Sequence, residues 1–283
     1  MAGKFVELRA HTAFSFGDGS ATPEALVEAA SRMGYTALGL TDTADFGGVV
    51  RFAIAAWGAG IAPIIGAELN VDGHPVALLA RTAEGCHNLA GLITQSRAGC
   101  LRSWERAGDP DGHNGRRRVR GGRGGGGGGG KGRGAESGRP ERGRPRVSWQ
   151  DVANRSAGLF ALTGPASGLL ATSVRSGDSR AAARHLAIWQ SVFSDRLAVE
   201  VQIHHAGRTE AALAGALMEL AERAGVHWVV ANNPRYVSDE GRLIHDVLTA
   251  LRAGVDLDTA AIRGVLHPNG GWLLRSPAEM ASL

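Results

Sequence analysis

The residues best suited to chemistry are polar side chains, most of them His, Asp, Glu or Asn, that directly follow short apolar runs. They are His11, Asp18, Asp42, Thr43, Glu68, His204, His205, Asn232, Asn233 and Arg235. Imidazole and carboxylate groups together can hold a hard or borderline metal ion that activates water. Any one of them alone is more commonly structural, since Asp and His favour loops. Arg9 and Arg235 stand at equivalent points and would repel cations, so the pattern indicates an incomplete metal site.

Seven short apolar runs predict the strands that would position these residues: 5–8, 37–40, around 63–65, 76–80, 158–162, 197–202 and 227–231. Helical patterns follow most of them, and the better defined ones cover 83–97, 149–153, 179–193, 208–224 and 239–252. The repeated βα order favours a parallel sheet, and seven units in one domain favour a closed barrel. Side chains at the strand ends of such a barrel converge on one rim, where we expect the polar residues above.

The overall composition indicates a folded protein of the cytoplasm. The chain has 283 residues, of which 43% are hydrophobic and 20% charged, enough for one large domain or two small ones. Cys86 and Cys100 are its two cysteines, which excludes a disulfide framework and a thiolate zinc site. No apolar run approaches the length of a signal peptide core or a membrane helix, so no membrane partner is expected.

The basic character of the chain is concentrated in one segment. Between residues 110 and 147 there are eleven Lys and Arg against three acids, a net +8, whereas the whole chain is +4. The segment is rich in Gly and Arg and has almost nothing apolar to bury, so it is expected to be disordered. We therefore predict a barrel in two parts, residues 1–101 and 148–283, separated by an insert at 102–147.

The insert allows two interpretations. Arg repeated among Gly can track a phosphate backbone, which would make the protein a nucleic-acid-binding one. The alternative is a low-complexity loop under little constraint. The second is favoured because the insert has no aromatic residue on which bases could stack.

Long stretches of the chain resemble one family. HTAFSFGDGSATPEALVEAASRMGYTALGLTD and GVVRFAIAAWGAGIAPIIGAEL, followed after the insert by VSWQDVANRSAGLFALTG, RLAVEVQIHH, VVANNPRYV and GWLLRSPAEM, resemble the PHP domain of the bacterial DNA polymerase III alpha subunit, error-prone type. The resemblance implies an α/β fold, a distorted seven-stranded (β/α) barrel of the TIM-like kind. Active members of this family bind two or three metal ions and hydrolyse phosphoesters, so the resemblance also implies a metal site at the strand ends.

The resemblance assigns site residues one by one. Four metal-ligand positions are retained, namely His11, Asp18, Glu68 and His204. Six others are changed, to Arg9, Thr43, Pro75, Pro165, Asn233 and Arg235, although His74 lies beside Pro75. Neither Pro nor Arg offers a lone pair to a metal ion. We therefore expect a degenerate site without strong two-metal hydrolysis, in which Arg9 or Arg235 pairs with Asp18 or Glu68.

Whether the chain is an enzyme is left open by its sequence. The favoured function is a non-catalytic scaffold in DNA replication or translesion repair, whose partners would be polymerase or replisome subunits, with DNA contacted indirectly or through the insert. The alternative is a residual phosphoesterase or 3′–5′ exonuclease that uses His11, Asp18, Glu68 and His204 around a single Zn or Mn ion. No region resembling a polymerase module was recognised, so nucleotidyl transfer is not expected of this chain alone.

Overall fold

A computed structural model describes residues 5–107 and 145–283, with side chains omitted at 99–107. Seven strands are seen in these ranges: β1 Glu7–Ala10, β2 Ala37–Leu40, β3 Ala62–Val71, β4 His74–Ala80, β5 Leu159–Leu162, β6 Leu197–Val201 and β7 His227–Val230. The helices of the described ranges are α1 Pro23–Arg32, α2 Val49–Gly58, α3 Ala83–Ala107, α4 Trp149–Asn154, α5 Leu169–Arg175, α6 Ser179–Phe193, α7 Arg208–Ala224, α8 Asp239–Ala253, α9 Leu257–Ile262 and α10 Pro277–Ala281.

The strands form one sheet in chain order, β1 to β7, curled into a half-barrel with helices packed around it. The predicted α/β barrel class is confirmed, but the expectation of a parallel, closed barrel was wrong in two respects. Strand β4 runs antiparallel to both β3 and β5. In addition, among the described residues no ladder joins β7 to β1. The sheet is open at that edge, where a backbone hydrogen bond of 3.1 Å from His11 N to Pro234 O links the two sides.

The antiparallel pair has a local cause. Strands β3 and β4 are joined by Asp72 and Gly73, which have φ angles of 50° and 98°. Two residues with positive φ are typical of a type I′ hairpin turn, for which Asp-Gly is a preferred sequence. The hairpin replaces the crossover helix that a parallel connection would need.

The core lies mainly between the sheet and the surrounding helices. Trp149, Trp189 and Phe193 pack together there, with ring centroids of Trp149 and Trp189 4.6 Å apart. The interior of the half-barrel holds a smaller apolar cluster, formed by Ala77, Leu79, Leu162 and Ala198, with the partly buried Leu8, Ile64, Phe160 and Val229 packed against it. Buried charged side chains, among them Arg9 and Glu200, also lie inside.

The ends of the predicted insert belong to the fold. Helix α3 extends through residue 107, and Val147 is buried and paired with Val71 beside β3. Ser148 caps α4 and forms a reciprocal capping box with Asp151. The prediction of a disordered, basic loop otherwise falls on residues 108–144, outside the described ranges. Within the part of the chain that the structure describes, no helix has the length and apolar character needed to cross a membrane.

Candidate metal centre at the mouth of the half-barrel

Arg9 lies at the base of the mouth, the end of the half-barrel at which the parallel strands end. It lies near the end of β1, and its guanidinium group forms ion pairs with Glu68 of β3 and with Glu200 of β6, the latter with Nη1 2.5 Å from Oε2. The side chains of Arg9 and Glu200 are inaccessible to solvent. Burial opposes the charge on Arg9, but the two carboxylates outweigh it and raise the pKa of this guanidinium further.

Glu7 completes this arrangement, which we call the Arg9 cluster: Glu7, Arg9, Glu68 and Glu200. Its two carboxylate oxygens accept hydrogen bonds from the backbone N–H groups of Arg9, at 2.9 Å, and Asn232, at 2.7 Å. Complete burial, aided by the negative charge of Glu200, nevertheless raises the pKa of Glu7 to about 8. The guanidinium group of Arg9 thus has two carboxylate partners, Glu68 and Glu200, while Glu7 binds the backbone.

A second guanidinium group lies closer to solvent. Arg235 Nε is 3.1 Å from Asp18 Oδ2, and the other oxygen of Asp18 is 3.4 Å from Arg252 Nη1 and 3.7 Å from His245 Nε2. Burial raises the pKa of Asp18, but Arg235, His245 and Arg252 together lower it well below its usual range. We call these four residues the Arg235 cluster. Arg235 Nη2 also lies 4.0 Å from Glu68, which connects the two clusters.

His11 stands between the clusters as a neutral imidazole. Ser15 Oγ donates a hydrogen bond of 2.7 Å to Asp42, so it accepts one of 2.8 Å from His11 Nδ1–H. His11 Nε2 therefore carries the lone pair, 3.7 Å from Glu68 Oε2. Burial and the nearby Arg235 hold the pKa of His11 well below its usual value. Asp42 also accepts two hydrogen bonds from Thr12, so its carboxylate stabilises the loop after β1.

His204 lies apart from the two clusters. Its Nε2–H donates to the carbonyl oxygen of Asn232 at 2.8 Å, and its Nδ1 is 3.3 Å from Glu210. Its ring stacks on Trp272 with centroids 4.0 Å apart, and burial lowers the pKa of the imidazole. The ring Nε2–H and the backbone N–H of His204, which donates to Glu210 at 2.8 Å, therefore hold the loop after β6.

The remaining changed positions supply no ligand-like geometry. The backbone N–H of Thr43 donates to Ser15 at 3.1 Å, and Asn233 adopts a φ of 52° in the loop after β7. Pro75 and Pro165 lie near each other, because Gly164, the residue before Pro165, packs directly against the backbone of Pro75. The packing is so close that a Cβ atom on Gly164 would be 2.2 Å from the carbonyl oxygen of Pro75. His74 is partly buried, with Nδ1 3.5 Å from the carbonyl oxygen of Ser167.

These residues do not fit a metal ion as the mouth is arranged. Among residues 5–98 and 145–283, no three His, Cys, Asp or Glu side chains are placed so that they could hold one. His11 and Glu68 are near each other, but Glu68 is paired with Arg9 and Asp18 with Arg235. The expected pairing of Arg9 or Arg235 with Asp18 or Glu68 is present at both positions. A cavity of about 480 Å³ adjoins the clusters, lined in part by Asp18, Glu200, His204, Arg235 and Trp272.

Four participants were not anticipated from the sequence: Glu7, Glu200, His245 and Arg252. For two of them a signal existed, since Glu7 and Glu200 each interrupt an apolar run that was predicted as a strand. An acid in a buried strand must find a partner or a proton. His245 and Arg252 carry no such signal, because charged residues on a predicted helix usually face solvent.

Comparisons with known proteins agree with this architecture. The model of the PHP domain family matches residues 7–204. The error-prone DNA polymerase of Mycobacterium tuberculosis is 32% identical over 292 residues, covering 99% of this chain and 23% of that protein. That of Nocardia farcinica is 33% identical, covering 99% and 26%. A solved candidate metal-dependent phosphoesterase from Bifidobacterium adolescentis superposes with a TM-score of 0.50 at 14% identity, over 81% of this chain and 86% of that one.

The chain therefore belongs to the PHP domain family, as the resemblance predicted. Its sequence relatives are error-prone DNA polymerases, of whose length it spans about a quarter. The structural likeness, at 14% identity, supports the fold alone.

Proposed function

We propose that this PHP domain has no metal-dependent phosphoesterase activity and serves as a scaffold in DNA replication or translesion repair. One observation carries the proposal. Arg9 is ion-paired to Glu68 and Glu200 within the mouth. To bind here, a metal ion would have to displace this guanidinium group, which cannot diffuse away because it is part of the Arg9 side chain on β1.

The charge balance of the mouth supports the same conclusion. Glu68 and Asp18 are two of the four retained ligand positions, and each already faces a fixed positive charge. A divalent cation entering between Arg9 and Arg235 would be repelled by both, in surroundings that screen charge poorly. The lone pair on His11 Nε2 cannot hold a metal ion alone, and the two retained carboxylates that could join it, Glu68 and Asp18, are already ion-paired.

The partners belong to the proposal as well. Because the relatives are error-prone DNA polymerases about four times as long, as the 23% coverage implies, we expect polymerase or replisome subunits as partners, in the cytoplasm. Contact with DNA is expected to be indirect or through the basic segment at 108–144.

Metal analysis combined with a hydrolysis assay tests the proposal. Protein purified without chelator is expected to contain no stoichiometric zinc or manganese. Added Zn or Mn is expected to give no hydrolysis of bis(p-nitrophenyl) phosphate or of a labelled DNA 3′ end. The variant Glu68→Gln should behave like the parent protein, as should Glu219→Gln, which changes an exposed glutamate on α7.

A different result would favour the residual phosphoesterase. Bound zinc or manganese at one equivalent, together with hydrolysis that is lost in Glu68→Gln but kept in Glu219→Gln, would contradict the scaffold proposal. It would assign catalysis to a single ion near His11 and Glu68.

A further inference from the structure

Helix α8 is turned the opposite way from an ordinary surface helix. The face that it buries consists of Gly241, His245, Thr249 and Ala250. The face that it exposes consists of Leu243, Ile244, Val247 and Leu251, which are 67%, 51%, 43% and 69% exposed. A surface helix normally places its apolar stripe against the core and its polar residues outward.

The polar inner face has a function in the mouth. His245 Nε2 lies 3.7 Å from Asp18, and Arg252, at the end of the helix, contacts the same carboxylate. Because the inward positions are committed to the Arg235 cluster, the apolar residues remain outside. Nothing within the described ranges covers them.

The exposed apolar surface extends beyond α8. Phe16, 97% exposed, is followed by Gly17 and Asp18, which lie against Arg252. Helix α9, which packs beside α8, contributes Leu257 and Ile262, 43% and 87% exposed, and Val265 follows shortly after the helix. At the size of these side chains, the patch exposes on the order of 800 Å², about what one partner buries in a stable interface. Patches of this size are rare on isolated monomers.

The layout of the patch is complementary to itself. Leu243, Val247 and Leu251 are spaced four residues apart, so the stripe is centred on Val247. When two such helices pack antiparallel about a two-fold axis at Val247, Leu243 of one copy meets Leu251 of the other.

We infer that the α8 face, formed by Leu243, Ile244, Val247 and Leu251 and flanked by Phe16 and α9, binds a second copy of this chain. The contact is an isologous, antiparallel helix pair with Val247 on the axis. This inference does not depend on the proposed function, because it concerns the outer side of the helix and not the mouth.

Sedimentation velocity of the full chain over the micromolar range tests the inference. We expect a dimer whose dissociation constant rises by roughly tenfold or more in Val247→Asp, since a charge at the centre of an apolar contact is left without a partner. The matched control is Ile54→Asp on α2, which changes another exposed apolar residue, 63% exposed. It should leave the dimer intact. Circular dichroism verifies that both variants fold.

A cross-link provides the second measurement. In Val247→Cys the two sulfur atoms would lie next to the axis, so mild oxidation should give a disulfide dimer, whereas Ile54→Cys and the parent chain, with its own Cys86 and Cys100, should not. A chain that stays monomeric at every concentration overturns the inference. So does a dimer that Val247→Asp leaves unchanged, because its interface would then lie elsewhere.

Discussion

The two guanidinium groups of the mouth have the same type of partner but differ in depth. Arg9 is inaccessible to solvent, and so is its partner Glu200. Arg235 and its partner Asp18 are 11% and 17% exposed, and a third charged group, Arg252, shares the same carboxylate. A buried ion pair is costly to break, since the remaining charge stays desolvated, whereas a pair at the rim can be replaced by water.

Because of this difference in depth, we expect the fold to require Arg9 but to tolerate substitution of Arg235. The Arg9 cluster lies inside the half-barrel, where the apolar cluster is smaller than those between the sheet and the helices. The Arg235 cluster instead connects the first loop to α8. Substitutions at the two centres should therefore differ in size and in their dependence on pH.

The largest effect is expected for Arg9→Ala. Its removal leaves Glu68 and Glu200 facing each other without a cation, which should lower the free energy of unfolding by about 3–5 kcal/mol. Urea denaturation at pH 7 measures this. Arg81→Ala, at an exposed position, is the control, and an Arg9→Ala loss no larger than this would show that the cluster does not support the fold.

The second prediction concerns Glu7, which should make stability depend on pH near neutrality. Its pKa is about 8 in the folded protein and about 4.3 when unfolded, so the folded state binds the extra proton. The contribution of Glu7 to stability is then complete below pH 4.3 and declines as the pH rises towards 8, by roughly 2–4 kcal/mol. Glu7→Gln cannot ionise and should remove this decline, although its amide suits only one of the two backbone N–H donors. Parallel stability curves for the two proteins between pH 5 and 8 would contradict a protonated Glu7.

Much of the outer architecture could be predicted because local signals agree with it. Helices α6 and α7 begin and end at the predicted residues, since Asp178 caps the first and Gly225, with a φ of 65°, ends the second. The antiparallel hairpin of β3 and β4 was not predicted, although Asp72-Gly73 is a typical hairpin turn. The strand–helix alternation of the rest of the chain suggested a parallel pair, but no helix separates these two strands.

The interior and the outer face of α8 could not be predicted by the same reasoning. Hydrophobic periodicity identifies the apolar side of a helix but assumes that this side faces the core. In α8, His245 and Arg252 contact Asp18, so the polar side of the helix faces the mouth and its apolar side faces solvent. The pairing of Arg9 with Glu68 was expected from the changed family positions, but its second partner, Glu200, became evident only when β6 was placed across the half-barrel.

The third prediction is a smaller loss for Arg235→Ala. Asp18 keeps Arg252 and His245 as neighbours and can gain water at the rim, so the free energy of unfolding should fall by about 1–2 kcal/mol at pH 7. The pKa of Asp18 is lowered in the folded protein, so its contribution is present above pH 4 and lost as the pH falls below that value. Without Arg235 this acid-side loss should become shallower, which acid titration of stability would detect. An unchanged acid limb would mean that Arg235 does not set the charge state of Asp18.

The smallest effect should come from Arg252→Ala, and it tests whether depth or partner number decides the outcome. Arg252 faces the same carboxylate as Arg235, at 3.4 Å, but 47% of its side chain is exposed. Exposed pairs are screened and contribute little, so a loss of about 0.5 kcal/mol or less is expected. A double-mutant cycle with Asp18→Asn isolates the pair from other effects of the substitution. A coupling energy as large as that of Arg235 with Asp18 would show that solvent exposure does not separate the two pairs, and the contrast between the interior and the rim would not hold.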